Sequence, residues 1–279
     1  MRPLGERIGI MQGRLVPSAT GELDCSPGAR WREEFSIAAT LELNHIELVA
    51  ERVMDSSNPI WSVDGRRDIA AAARETDVRV ASICLNEPVT TPFDDEAFAR
   101  DLATRVAPVV DALNATIVVL PLLDASDLNA LDWAGAARSV RIVTDQLVPQ
   151  GARLALELGV AATDSLRFLD AVGSSGVGIC YDVGNATAAG FDAAAELRLL
   201  GDRVWHVHAK DKNAARENVR FGTGDVPFAA VLRTLDEQGF DGLVTMEATR
   251  GDDPIVTAGE HRAFLLSMEA TRPNPVERP

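Results

Sequence analysis

Eight short runs of β-branched and apolar residues alternate along the chain with segments that have helical spacing. The runs cover residues 7–10, 45–49, 78–85, 116–122, 152–158, 177–182, 203–209 and 242–248. Helical spacing is clearest at 31–43, 95–113, 133–148 and 228–239, where Gly239 is a typical helix C-cap. This alternation predicts an α/β fold, and eight units fit a closed (β/α)8 TIM barrel better than an open doubly wound sheet.

The sequence also predicts a single domain. No linker, low-complexity run or charge block divides its 279 residues, and a barrel of this kind needs roughly 250. We therefore expect one catalytic barrel over residues 1–270. The remaining residues, 271–279, include three prolines, and we predict that this tail is disordered.

Composition limits the partners and the compartment. The formal net charge is −15 and the isoelectric point about 4.7, which disfavours nucleic acid and anionic membranes as partners. The three cysteines are widely spaced without a CxxC pair, which is typical of reduced thiols in a cytoplasmic protein. The sequence shows no signal peptide and no apolar stretch of membrane-spanning length, so we expect a cytoplasmic protein that binds a small molecule. The oligomeric state stays open, with a homo-oligomer among the alternatives.

Polar residues end the last four predicted strands. They are Glu157, Asp182, His208 and Glu247. Catalytic residues of such barrels lie at the carboxyl ends of the strands, so these four side chains are predicted to meet at one mouth. Three carboxylates and one imidazole suit a divalent cation. The oxygen-rich set favours Mn²⁺ or Mg²⁺, with Co²⁺ and Zn²⁺ as alternatives.

Each ligand candidate taken alone also has a purely structural interpretation. Glu157 can end a strand in solvent, Asp182 can cap the following helix, and Glu247 can pair with Arg250 at the rim. The shared position of all four on consecutive strands favours the metal site. Small residues two positions upstream, at Ala155, Cys180 and Thr245, would leave room inside the barrel mouth.

The motifs that carry these residues resemble a known superfamily. They are IGIMQGRL at 8–15, LELG at 156–159, YDVGNA at 181–186, HVHAKDK at 206–212, GTGDVPF at 222–228 and the ME pair at 246–247. Together they are similar to the sugar isomerase and epimerase superfamily with the xylose isomerase-like barrel, and most similar to sugar-phosphate 3-epimerases and hexulose-phosphate isomerase-like proteins. The resemblance implies that Glu157, Asp182, His208 and Glu247 bind the metal. It also implies that Glu157 and Glu247 transfer protons as the catalytic residues.

Two positions depart from the free-ketose 3-epimerases of this superfamily. Those enzymes carry a histidine three residues after the metal aspartate, where this chain has Asn185 like the sugar-phosphate relatives. They also carry a second glutamate where this chain has Thr163. The departures favour a ketose phosphate over a free ketose without excluding either.

The chemistry expected of such a site is proton transfer beside a carbonyl. A metal bound to the carbonyl and the neighbouring hydroxyl oxygen stabilises the enediolate left when that proton is removed. Return of a proton to the opposite face of the same carbon inverts that carbon and gives epimerisation, and return to the adjacent carbon gives isomerisation. Dehydration of an inosose begins in the same way and stays an alternative. A nuclease of the endonuclease IV type would need more histidines than the four present, and the acidic chain opposes DNA.

Further polar residues at the same end are candidates for substrate binding. They are Gln12, Arg14, Glu47, Asn185, His206 and Lys210, with Lys212 as a further basic residue. In a strand, His206 shares a face with His208 and lies deeper, where it would support the metal site. We expect GTGDVPF to form a turn before a helix, and we expect His45 and His261 to be structural or surface residues.

Overall fold

Eight parallel strands close into a barrel in the computed structural model, which describes residues 2–270. Each strand pairs with its neighbours in the sequence, and the last pairs with the first. The strands are β1 (Ile8–Met11), β2 (His45–Ala50), β3 (Arg79–Leu85), β4 (Ile117–Leu122), β5 (Arg153–Leu158), β6 (Val177–Asp182), β7 (Val204–Ala209) and β8 (Leu243–Met246). The predicted barrel is therefore confirmed, with strand ends that differ by one or two residues. The predicted disordered tail, 271–279, lies outside the described residues.

Helices connect successive strands on the outside of the barrel. They are α1 (Trp31–Thr40), α2 (Val63–Thr76), α3 (Glu87–Thr90), α4 (Glu96–Leu113), α5 (Trp133–Leu147), α6 (Ala162–Val172), α7 (Val183–Ala188), α8 (Ala193–Leu200), α9 (Phe228–Glu237) and α10 (Pro254–Ala270). The four predicted helices are all present. The carboxylate of Asp95 caps the backbone N–H of Ala97 at the start of α4, and Asp132 caps α5 in the same way.

Residues with a left-handed backbone conformation follow several helices, and α1 and α9 end earlier than predicted. The first helix stops at Thr40 because Glu42 has a φ of 51°, which a continuing helix does not allow. Gly239 follows α9 with a φ of 70°, as its C-cap prediction required, and the Phe240 N–H returns to the Leu235 carbonyl.

The core has an outer and an inner part. The outer part lies between the strands and the helices and contains most of the buried leucine, isoleucine and valine side chains. The inner part fills the barrel itself and consists of Met11, Val49, Cys84, Ile117, Val119, Ala155 and Cys180. The barrel is therefore packed below its mouth, which leaves the carboxyl ends of the strands as the place for a site.

Strand register brings the ligand candidates to one level. Asp182 of β6 is the register partner of His208 on β7, and Thr245 of β8 is its partner on the other side. Cys180 and Ala155, two residues upstream of the candidate ligands, are buried in the barrel interior. All three cysteines are free thiols. Among residues 2–270, no helix combines the length and the apolar character needed to cross a membrane.

Candidate metal centre at the barrel mouth

The four predicted metal ligands lie together at the carboxyl ends of β5 to β8. Glu157 and His208 are the penultimate residues of their strands, Asp182 is the last of its strand, and Glu247 directly follows β8. One ligand atom from each lies within 4.8 Å of the others. All four side chains are at least nine-tenths buried, so their charges need partners or a cation.

The orientation of His208 fits a metal ligand. Its Nδ1 atom points at the carboxylates, 2.9 Å from Glu247 Oε2 and 3.6 Å from Glu157 Oε2. This buried nitrogen forms no hydrogen bond of good geometry with any described residue. On the opposite edge of the ring, Nε2 lies 2.9 Å from Glu47 Oε1. The three carboxylates and the unpaired Nδ1 of His208 fit a divalent ion, for which Nδ1 would be the histidine ligand.

Lys210 balances part of the negative charge. Its ammonium lies 2.6 Å from Glu247 Oε1 and 2.9 Å from Asp182 Oδ2, and its side chain is 7% exposed. Burial opposes the charge of Lys210, but the two carboxylates outweigh it and hold the pKa of the lysine above its ordinary range. For Glu247, burial is likewise outweighed by Lys210 and His208, and its pKa falls well below the usual value. Burial raises the pKa of Asp182 to about 6, with Lys210 acting against the rise.

Helix α7 places Asn185 beside the ligands. Asp182 is the N-cap of this helix and accepts the Asn185 backbone N–H at 2.7 Å. The Asn185 side-chain amide then donates to Glu157 Oε1 at 2.8 Å. Asn185 therefore holds one oxygen of Glu157, while the other oxygen faces His208.

A cavity of about 280 Å³ opens above the ligands. Its lining is mainly polar and includes Arg14, Asp24, Arg52, Asn86, Asp124, Glu157, Asn185, Lys210, Lys212, Asn218 and Glu247. This size is close to the lower end of small-molecule sites. Among the predicted substrate-binding residues, Arg14, Asn185 and Lys210 line the cavity.

The other three substrate-binding candidates do not line the cavity. Gln12 accepts the Val49 backbone N–H through its side-chain oxygen, which ties the loop after β1 to β2. Glu47 and His206 are fully buried and contact each other, with His206 Nε2 at 2.8 Å from Glu47 Oε2. The Glu47 carboxylate pairs with His206 and His208, and Arg14 and Arg52 pair with Asp24 instead. The geometry favours supporting roles for these three, because each side chain is already bonded to a buried protein group.

Glu47 keeps its charge although it is buried. Burial favours the neutral carboxyl, but His208 and His206 outweigh that effect and hold its pKa well below the ordinary value. Ser82 adds a hydrogen bond of 2.5 Å to Glu47 Oε2. Because Ser82 lies on β3, the Glu47 carboxylate joins strands from two sides of the barrel.

Arg14 lies on the cavity wall in a loop that a buried carboxylate shapes. Its guanidinium lies 2.8 Å from Asp24 and 3.6 Å from Glu247 Oε1. The loop is held by Glu34, whose Oε1 accepts the backbone N–H groups of Gly13, Leu15 and Val16. No local pattern indicates this role, because Glu34 lies on α1 within an ordinary acidic first turn.

Asp211 shapes a second loop at the mouth in the same manner. Its carboxylate accepts the backbone N–H groups of Gly222, Gly224 and Val226. The GTGDVPF segment therefore wraps an aspartate and precedes α9 as a turn, as predicted. Three of its backbone N–H groups are bonded to this aspartate.

The two remaining histidines are structural, as expected. His45 is fully buried, and its Nε2 lies 2.8 Å from Thr245 Oγ1. His261 is 3% exposed and stacks on Phe221, with ring centroids 4.2 Å apart. Glu247 does not pair with Arg250, which donates to the carbonyls of Gly13 and Gly21 instead.

Asn86 is a cavity residue that the sequence analysis missed. It directly follows β3 and lines the cavity. The rule that found the metal ligands, a polar residue at the carboxyl end of a strand, also applies to this position.

Comparison with known proteins supports the assignment of the fold. The model of the family described as xylose isomerase-like TIM barrel matches residues 35–268. The chain belongs to this family. A curated relative, the L-ribulose-5-phosphate 3-epimerase UlaE of Escherichia coli (strain K12 / DH10B), is 25% identical over 276 residues, which cover 93% of this chain and 97% of the relative.

Two solved structures of the same fold come from other bacteria. A D-allulose 3-epimerase from Methylomonas sp., solved with D-allulose, has a TM-score of 0.73 at 17% identity and covers 94% of this chain and 96% of its own. A xylose isomerase-like TIM barrel protein from Mycobacterium smegmatis, solved with magnesium, has a TM-score of 0.70 at 18% identity and covers 96% and 98%. At these identities the two structures support the fold of this family member and not its substrate.

Proposed function

We propose that this protein is a divalent-metal-dependent isomerase or epimerase of a ketose or ketose phosphate. The observation that carries the proposal is the convergence of Glu157, Asp182, His208 and Glu247 beside a polar cavity, which Glu157 and Glu247 line. The curated relative is a sugar-phosphate 3-epimerase, and one structural neighbour is a free-sugar 3-epimerase. The 3-epimerase activities that these two names describe are consistent with proton transfer beside a carbonyl.

Glu157 and Glu247 are the proposed proton-transfer groups. Each has one oxygen held by a neighbour, since Asn185 donates to Glu157 Oε1 and Lys210 donates to Glu247 Oε1. The carboxylates come from β5 and β8, which are separated by β6 and β7 around the barrel. A substrate held between them would therefore meet one carboxylate from each side, so one can remove a proton and the other can return one.

The residues that would hold the ion are Glu157, Asp182, His208 and Glu247. When bound, the ion would stabilise the negative charge that develops on the substrate oxygens as the proton leaves. Three carboxylates to one imidazole favour a hard ion, so we propose Mn²⁺ first, with Mg²⁺, Co²⁺ and Zn²⁺ as alternatives. A magnesium-bound neighbour in the same fold agrees with an oxygen-preferring ion.

Basic side chains at the rim support a phosphorylated substrate as the first class to test. Arg52 and Lys212 line the cavity. Arg52 is half exposed, and its carboxylate partners are distant, at 3.8 Å from Asp24 and 4.0 Å from Asp124. A phosphate group can compete for an arginine that is held so loosely.

A substrate panel with controlled metal content tests the proposal. The protein is stripped with a chelator, reloaded with Mn²⁺, Mg²⁺, Co²⁺ or Zn²⁺, and offered ketoses, ketose phosphates and inososes. We expect epimerised or isomerised product only from metal-loaded protein, and no activity in Asp182→Asn, because the amide lowers metal affinity while the barrel stays folded. Dehydration of an inosose as the only reaction would replace this proposal with a lyase. A wild-type protein that stays metal-free after all four loadings would refute the metal centre.

A further inference from the structure

We propose that Glu47 is a positioning residue of the metal centre, which accepts the Nε2–H of His208 and thereby presents Nδ1 of that histidine to the ion. The inference rests on the proposed function, since it concerns the same metal. It assigns Glu47 a role that differs from contact with substrate. The sequence pattern does not reveal this role, because Glu47 and His208 are 161 residues apart.

The argument begins with the two nitrogens of His208. Nε2 lies 2.9 Å from Glu47 Oε1, and Nδ1 lies 2.9 Å from Glu247 Oε2 on the opposite side of the ring. An imidazole that binds a metal must offer a lone pair on one nitrogen, and it then carries its single hydrogen on the other. The carboxylate of Glu47 can only accept a hydrogen bond, so it favours the hydrogen on Nε2 and leaves the Nδ1 lone pair free for the ion.

The Glu47 carboxylate is itself firmly held. Its second oxygen accepts Ser82 Oγ at 2.5 Å and lies 2.8 Å from His206 Nε2. Glu47, His206 and His208 are all 0% exposed, so no water competes for these bonds. A buried carboxylate with three donors has little freedom to rotate, and it can hold an imidazole ring in one orientation.

The network continues away from the site. His206 Nε2 also lies 3.0 Å from Thr245 Oγ1, which in turn lies 2.8 Å from His45 Nε2. These side chains come from β2, β7 and β8, and none of them lines the cavity. Among the four candidate ligands, the Glu47 carboxylate contacts His208.

Glu47→Gln is the decisive variant. The amide keeps the shape and one acceptor oxygen but removes the negative charge that strengthens the bond to His208. Loss of such an outer partner typically lowers metal affinity about 10- to 100-fold, and we expect that range here. Two control variants separate this effect from general destabilisation. Ser82→Ala removes a bond to Oε2 but leaves the Oε1 contact with His208, and Glu51→Gln neutralises a buried carboxylate that binds Asn58 and Ser26 instead.

The measurement is a titration of the metal-stripped full chain with Co²⁺, followed by visible absorption without any substrate. We expect weaker binding in Glu47→Gln, and a change below about threefold in both controls. In parallel, ¹H–¹⁵N NMR of the Zn²⁺-loaded protein reads the imidazole N–H signals of its four histidines. We expect His208 to carry hydrogen on Nε2 in a strongly downfield signal, which moves upfield in Glu47→Gln.

Each outcome decides the proposal. Equal Co²⁺ affinity in wild type and Glu47→Gln, or an effect on KM for substrate alone, would overturn it and leave the metal centre intact. A wild-type protein that binds no divalent ion would contradict the proposed function and this inference together. If Glu47→Gln does not fold, the wild-type NMR spectrum still decides, because hydrogen on Nδ1 with Nε2 facing the ion would overturn the assignment.

Discussion

Gly184→Ala tests the packing that holds Lys210 over the metal ligands. Gly184 is the second residue of α7, and a Cβ there would lie 2.9 Å from both the Cβ and the carbonyl oxygen of Lys210. Ordinary contacts begin near 3.4 Å, so Lys210 or the start of α7 must move by about half an ångström. Overpacking of this kind costs about 1–3 kcal/mol of unfolding free energy.

The same displacement should also reduce activity. The Lys210 ammonium holds Glu247 at 2.6 Å and Asp182 at 2.9 Å, and both bonds depend on the position of the lysine backbone. Misplacement of about 1 Å near a reaction centre can cost 100-fold in rate, so we expect kcat/KM to fall about 10-fold or more. The assays are thermal unfolding and steady-state kinetics with saturating metal.

Gly259→Ala is the matched control. Gly259 lies within α10, and a Cβ there would meet only Leu41 Cδ2, at 3.5 Å. Alanine should stabilise this helix by about 0.5–1 kcal/mol and leave kcat/KM unchanged. If Gly184→Ala matches wild type in both assays, α7 does not pack against Lys210 as described, and the reasoning is refuted.

Three further predictions concern individual side chains. Asn185→Asp replaces the donor to Glu157 with a second carboxylate, so we expect kcat/KM to fall by more than tenfold. The control variant Asn185→Ser should show a smaller fall in kcat/KM. Glu157→Gln and Glu247→Gln should both abolish product formation in metal-saturated samples, because an amide neither accepts nor returns the proton; near-normal turnover in either would end the two-carboxylate scheme. His261→Phe should flatten the pH dependence of stability. Burial, with Arg220 nearby, lowers the pKa of His261 to about 4, so the unfolded chain takes up the proton first and stability is lost as the pH falls from about 6.5 to 4. Wild type should lose up to about 3 kcal/mol of unfolding free energy between pH 7 and pH 4 through this histidine, and the variant should not lose that part, as measured by urea unfolding. Parallel pH profiles of the two proteins would contradict this origin.

The strands and the clustering of the candidate ligands were predictable from the sequence because both follow from local pattern. Apolar runs of strand length recur between helical segments, and the polar residue that ends each of the last four runs needs no knowledge of distant contacts. The boundaries were less accurate. Glu42 ends α1 because its backbone is left-handed, and the presence of an acidic residue does not predict that conformation.

The contacts of a side chain within the barrel were predictable only in part. Strand alternation indicated that His206 shares a face with His208, but it did not show that Glu47 lies between them and away from the cavity. The roles of Glu34 and Asp211 depend on backbone N–H groups of loops elsewhere in the chain. These partners are 21 and 11 residues apart in the sequence for Gly13 and Gly222, so no local pattern encodes the contacts.

Solvent exchange tests the central claim, proton transfer at a metal centre, most directly. Metal-saturated wild-type protein is incubated in D2O with the ketose or ketose phosphate that it converts, and the product is examined by NMR. We predict deuterium at the carbon beside the carbonyl, at a rate that falls to background after chelation and returns with Mn²⁺. Product that forms without deuterium, or exchange that persists in metal-stripped protein, would contradict the account.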